Sequence, residues 1–215
     1  LMITVSYAPA AVESDLRGGL LSCPECAGAL RPWGHARERR IRMGTAGPSV
    51  SVFCPLRARC TGCRMTHVLL PVVLAARKAD EALVIAAAIE AKALEGLGHR
   101  SIADRVGRPV STVRGWLRSF GSSAASLCSW FRSLLLRDAS DAASLWPQSA
   151  RGILAQALGV LLAYARVVGE RFAVPEASAV PWHAAALASA GPWVFSGTWW
   201  VKRLATPIGP DRAGC

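Results

Sequence analysis

The residues best suited to chemistry are four cysteines in two short pairs. The first pair lies in Ser22-Cys23-Pro24-Glu25-Cys26-Ala27-Gly28 and the second in Arg59-Cys60-Thr61-Gly62-Cys63-Arg64. A C-x-x-C turn lets two thiolates converge on one ion, and its backbone N–H groups face the sulfurs. Gly28 and Gly62 supply turn freedom. Two such turns give a closed tetrahedral four-sulfur site, which favours zinc over other metals. The expected cofactor is therefore one structural zinc held by Cys23, Cys26, Cys60 and Cys63. The 33 residues between the pairs exceed the shortest ribbon spacing, but ribbons tolerate insertions there. A redox dithiol is the rival, but it needs a pair at a helix start after a strand, and both pairs lie in turn-rich sequence. Cys54 has no knuckle spacing and reads as a buried strand cysteine. His35 and His67 are spare ligands that a complete four-cysteine shell does not need. A catalytic zinc keeps an open position, usually among His and carboxylate ligands, and no such set is present.

The second constellation is basic. Residues 98–118 carry Ile102, Ala103 and Val106 on one helical face, then Gly107-Arg108-Pro109, then Val113, Trp116 and Leu117 on another face. Gly107 suits a tight turn and Pro109 a helix start. Such a pair of helices leaves Val110, Ser111, Arg114 and Arg118 on the outer face of the second, where a major groove would meet them. Arg114 is the candidate for a guanine edge and Ser111 for a base edge or phosphate. Arg100, Arg108 and Arg118 are the candidates for phosphates. The alternative is an ordinary helical hairpin with solvated arginines.

These sites need elements to hold them. A strand is expected at Ile3–Tyr7, others around Val50–Leu56 and Val68–Leu70, with Pro71 closing the block. An alanine-rich helix should run from Asp80 to Glu95, a second from Arg100 to Val106, and a third to about Phe120. Gly121-Ser122-Ser123 reads as a linker. Beyond it, Leu127–Arg137 and Gln148–Phe172 have helical periodicity. The expected fold is mainly α: an N-terminal β zinc ribbon over 1–75, a three-helix homeodomain-like helix-turn-helix over 78–120, a helical C-terminal region over 122–203, and a frayed tail over 204–215.

The residues quoted so far carry a resemblance. Cys23-Pro24-x-Cys26, Leu30-x-Pro32-Trp33-Gly34-His35-x-Arg37, Cys60-x-x-Cys63-x-x-Thr66-His67-Val68-Leu69-Leu70-Pro71, and Ile102-Ala103 through Thr112-Val113-Arg114-Gly115-Trp116-Leu117-Arg118 resemble a family of uncharacterised proteins of high-GC bacteria. That family pairs a zinc ribbon with a homeodomain-like helix-turn-helix. The second half of the match is also similar to the DNA-binding front ends of insertion-sequence transposases and resolvase-type recombinases. The resemblance covers residues 1–120 well and the rest loosely. It implies binding to double-stranded DNA and a link to mobile elements, and brings no activity with it.

Composition agrees with a polyanionic partner. The formal net charge is +11, and of 25 basic residues only Lys78, Lys92 and Lys202 are lysines. Arginine's planar fork matches phosphate and guanine, although GC-rich coding also produces arginine and alanine. The hydrophobic share is 52%, but Ile153–Ala165 is interrupted by Gln156 and followed by Arg166, and Val68–Ala76 contains Pro71, so no membrane span is expected. Leu1–Leu20 does not read as a signal peptide, and a cytoplasmic, nucleoid-associated protein is expected. Catalysis is not expected. The acids after residue 120 (Asp138, Asp141, Glu170, Glu176, Asp211) lack the strand pattern of a two-metal transposase domain, and residues 1–75 leave no room for a recombinase domain. No small-molecule substrate is expected. Trp130, Trp146, Trp182, Trp193, Trp199 and Trp200 mark the C-terminal part. They read as helical core, or alternatively as a surface for a protein partner or self-association, which would make the chain an accessory or assembly protein of a mobile element.

Overall fold

A computed structural model describes residues 1–45, 49–141, 144, 146–147, 150–171 and 180–199. The expected tail over 204–215 and Trp200 lie outside these residues. The fold is mainly helical, with N-terminal strands that carry the cysteine cluster.

Strands β1 (Met2–Val5), β2 (Leu30–His35), β5 (Leu56–Cys60) and β6 (Thr66–Pro71) form one sheet in the order β1-β6-β5-β2. β1 runs parallel to β6, and the other neighbours are antiparallel. Strands β3 (Arg39–Met43) and β4 (Ser49–Phe53) make a separate antiparallel hairpin. The expected strands near both ends of this block are present. Helix α1 (Pro9–Gly18), β2 and β3 were not anticipated.

Alternation within the strands divides the sheet into two faces. On one, Val12 and Leu16 of α1 pack onto Leu30, Ala58, Cys60 and Leu69. On the other, Ile41, Met43 and Phe53 of the hairpin cover Met2, Val68 and Leu70. The hairpin reaches only the β1–β6 end, so the β5–β2 end of that face stays open.

Helices α2 (Ala82–Ala93), α3 (His99–Val106) and α4 (Val110–Ala139) pack against one another, and α5 (Ile153–Arg171) and α6 (Trp182–Ala190) complete the body. α2 is buried nearly all round, at Ala82, Val84, Ile85, Ala86, Ala88, Ile89 and Ala91. That is the behaviour of a central helix, and it accounts for much of the alanine. α3 is amphipathic and ends on Gly107 in the left-handed region (φ 61°), whose N–H reaches the carbonyls of Ala103 and Asp104.

The linker expected at Gly121-Ser122-Ser123 is helix interior. Buried residues recur without a break at Val113, Trp116, Leu117, Phe120, Ser123, Ala124, Leu127, Cys128 and Phe131. The small residues let the 196–197 turn approach: Ser123 Oγ donates to the Ser196 carbonyl at 2.9 Å. Packing thus outweighs weak local propensity. The expected Leu127–Arg137 helix is the second half of α4, and one hydrophobic core runs from Ala75 to Trp199.

The tryptophans serve that core. Trp182 and Trp199 are buried in it, and Trp130, Trp146 and Trp193 pack against it. Trp182 Nε1 donates to Glu90, joining α6 to α2. Among the described residues α5 is, by length and composition, long and apolar enough to cross a membrane, a test that a buried core helix also meets. Here it packs against α4 and α6, with Ala157, Leu158, Leu161 and Tyr164 buried.

Candidate metal centre

The two cysteine turns are built alike. In the first, the Cys23 N–H donates to the Gly28 carbonyl at 2.8 Å; in the second, the Cys60 N–H donates to the Met65 carbonyl at 2.9 Å. In each, the residue after the second cysteine is left-handed, Ala27 at φ 58° and Arg64 at φ 64°. Pairing of β2 with β5 sets Leu30 opposite Cys60 and brings the turns together. Thr61 braces them, donating from N and from Oγ1 to the Ala29 carbonyl at 3.0 and 3.2 Å.

The sulfurs of Cys23, Cys26, Cys60 and Cys63 lie within 4.8 Å of one another. Cys23 and Cys63 are 3.7 Å apart, and Cys26 and Cys60 are 3.4 Å apart. A tetrahedral ion with sulfur ligands at about 2.3 Å sets its sulfurs roughly 3.8 Å apart, so the set can coordinate a metal ion with small adjustment. Cys23 and Cys60 are buried, while Cys26 and Cys63 face solvent.

Thiol acidity reflects this crowding. The Gly28 N–H, then the Cys60 thiol, bring Cys26 down to about 6. Burial pushes Cys23 up to about 12. Without a cation, four adjacent sulfurs cannot all ionise, and a bound divalent cation removes that conflict.

His67 is wholly buried, and its Nε2 lies 3.3 Å from the Cys23 sulfur. Burial lowers its pKa, which favours neutral imidazole. With the proton on Nε2, the ring donates to sulfur and leaves Nδ1 as a bare acceptor, the less costly group to leave without a partner. His67 therefore supports a thiol rather than replacing one. His35 is exposed at the end of β2. Cys54, expected to be buried, is exposed between β4 and β5.

Close approach favours glycine at Gly28, while Gly62 has room for a Cβ in ordinary contact. A Cβ on Gly28 would lie 3.0 Å from the Cys60 sulfur and 3.3 Å from the Gly62 nitrogen; one on Gly62 would lie 3.4 Å from the Cys26 sulfur. Gly28→Ala is expected to weaken metal binding about 5- to 150-fold, a cost of about 1–3 kcal/mol from overpacking. Competition with a chromophoric chelator measures it, and unchanged affinity would contradict the crowding argument.

The residues expected to meet DNA divide into two groups. Ser111, Arg114 and Arg118 are exposed along the first turns of α4, and Arg100 is exposed on α3. Val110 is half-buried against the helical core. Arg108 has a different place from the phosphate contact expected of it. It is buried, and its Nε donates to Asp80 Oδ1, Nη1 to the Val106 and Gly107 carbonyls, and Nη2 to those of Arg42 and Gly44. Arg42 makes a two-pronged pair with the same carboxylate at 2.9 and 2.7 Å. This cluster joins the β3–β4 hairpin to the α3–α4 turn. The sequence gives no local sign of the Arg42–Asp80–Arg108 cluster, since its members are far apart in the chain.

Residues 23–116 match a family model described as a domain of unknown function (DUF6431). No curated protein and no solved structure matches the chain. The matched stretch starts at the first metal-site cysteine and ends in the second turn of α4, so what the chain shares with that domain includes both cysteine pairs, the hairpin, α2 and α3.

Proposed function

We propose that this is a non-catalytic DNA-binding protein in which a structural zinc ion, held by Cys23, Cys26, Cys60 and Cys63, stabilises the sheet and α3–α4 act as a helix-turn-helix on duplex DNA. The observation that carries the reading is the open face of Ser111, Arg114 and Arg118 on the first turns of α4, directly after a glycine turn. Behind that face Val113, Trp116 and Leu117 are buried, so the arginines are presented by a fixed helix. Arg114 suits a guanine edge, and Arg118 and Arg100 suit flanking phosphates. Among the described residues none of these three arginines is in an ion pair with a carboxylate, so each is available to an anionic partner. The similarity of residues 98–118 to the DNA-binding front ends of insertion-sequence transposases and resolvase-type recombinases supports the same reading. A role at a mobile element and a place in the nucleoid are part of this proposal.

The test is fluorescence anisotropy on duplex DNA, with sites first enriched by selection from random sequence. Arg114→Ala with Arg118→Ala is expected to weaken binding by about 1–3 kcal/mol for each base edge that is no longer bonded, and to reduce the salt dependence. Unchanged affinity and salt slope at moderate salt would refute the assignment of α4 as the reading helix.

A further inference from the structure

The β5–β2 end of the sheet has one face under α1 and the other open. On the open face lie Arg59 and Arg57, the latter opposite Val68 at the edge of the part covered by the hairpin, while Arg31, opposite Arg59 in the register, turns its guanidinium to the Arg17 carbonyl of α1 at 2.9 Å. Trp33 follows Arg31 on the same strand and is 50% exposed, which is unusual for so large an apolar side chain. The Arg59 guanidinium lies 4.7 Å from the centre of its ring. Beside them is a shallow cleft of about 300 Å3 whose lining includes Arg37, Arg57 and Thr66. Among the described residues no carboxylate pairs with Arg31, Arg37, Arg57 or Arg59.

We infer that this face binds single-stranded nucleic acid, with an unstacked base against Trp33 and the phosphodiester chain along Arg57 and Arg59. An exposed indole on a sheet, flanked by arginines, is the arrangement that takes bases irrespective of sequence, since every base offers a π-face. The Arg59 cation on the ring leaves the other side of the indole for the base. Duplex DNA does not suit this surface, because its base faces are stacked inside and only base edges and phosphates are presented. The surface is separate from the α4 face, so the two bind different forms of nucleic acid.

The test uses full-length, metal-loaded protein and a labelled oligothymidylate of about 20 nucleotides, with an oligouridylate of equal length to distinguish DNA from RNA as the source. Trp33→Ala is expected to weaken binding about tenfold or more, from the measured range for one base–aromatic stack, and Trp33→Phe to retain most of it. Arg57→Ala with Arg59→Ala should weaken binding and flatten its salt dependence. Metal content and circular dichroism establish that each variant is folded. Arg114→Ala with Arg118→Ala should leave oligothymidylate binding intact while duplex binding falls. The inference is overturned if the folded wild type binds neither oligomer, or if the Trp33 and Arg57/Arg59 variants bind as the wild type does. It is also overturned if the α4 variant no longer holds the single strand, or if Trp33 is needed only for sedimentation with anionic vesicles. A failure of the α4 reading alone appears instead as duplex binding that is indifferent to Arg114 and Arg118.

Discussion

Purified under reducing conditions, the protein is expected to contain about one zinc ion per chain, and Cys23→Ser with Cys60→Ser to contain almost none. Structural zinc in small domains contributes about 10–16 kcal/mol of apparent binding energy near neutral pH, much of it used to order the ligands. The sheet is expected to depend on that contribution, since its two cores are small: one is built around Leu16, Leu30, Ala58 and Leu69, the other around Ile41, Leu70 and Leu74. Chelation should therefore expose residues 1–71 to protease and lower the thermal midpoint, read by elemental analysis, limited proteolysis and circular dichroism. Metal-free protein that keeps its protease resistance would rule out the structural role.

Affinity for zinc should also fall as pH falls. In the metal-free cluster Cys26 ionises near 6, but Cys23, raised to about 12 by burial, keeps its proton at neutral pH. Binding must release that proton, so affinity rises with pH between those limits, by roughly tenfold per unit for each proton released. Zinc competition at several pH values measures the slope, and a flat response would contradict these thiol states.

Asp80→Asn is expected to cost about 3–5 kcal/mol, a large share of the roughly 5–15 kcal/mol that holds a typical domain folded. Among the described residues Asp80 is the one carboxylate paired with Arg108, whose side chain is about 1% exposed. Removing the charge leaves a guanidinium buried among carbonyls with nothing to neutralise it. Arg42→Gln provides the contrast. Its side chain is about 37% exposed, so water takes over much of what the pair supplied, and a loss nearer 1 kcal/mol is expected. Urea denaturation of the two variants separates them, and equal losses would show that burial of the Arg108 charge is not what makes Asp80 important.

The cysteine site was legible because C-x-x-C spacing is a local constraint, and the structure gathers all four sulfurs. The edges of α2 and α3 were legible for a similar reason: Gly96 and Gly107 are left-handed residues just beyond them. What was not legible depends on distant partners. Arg108 looks like any other arginine until Asp80 and the hairpin carbonyls surround it. Gly121-Ser122-Ser123 has the composition of a linker, and only the unbroken stripe from Phe120 through Ala124 to Leu127, with Ser196 against Ser123, shows why it is helical. β2 was missed because it buries only Leu30 and so gives no alternation, and β3 because its alternation, Arg40-Ile41-Arg42-Met43, is too short to stand out among the arginines. His67 was noticed as a spare ligand, but its approach to Cys23 follows from the β5–β6 register.

The continuity of α4 has one more consequence. Thirty residues at about 1.5 Å each make a rod roughly 45 Å long. Ser111, Arg114 and Arg118 occupy its tip, and its shaft is clamped by α5 and by the turn at Ser196. The tip has no swivel of its own. Whatever it meets finds the arginines already aimed, so docking there sacrifices little orientational freedom. The same packing works in reverse: α2 and α3 hold the tip as α5 holds the shaft, so Arg114 could change its aim only if the core behind it moved as well.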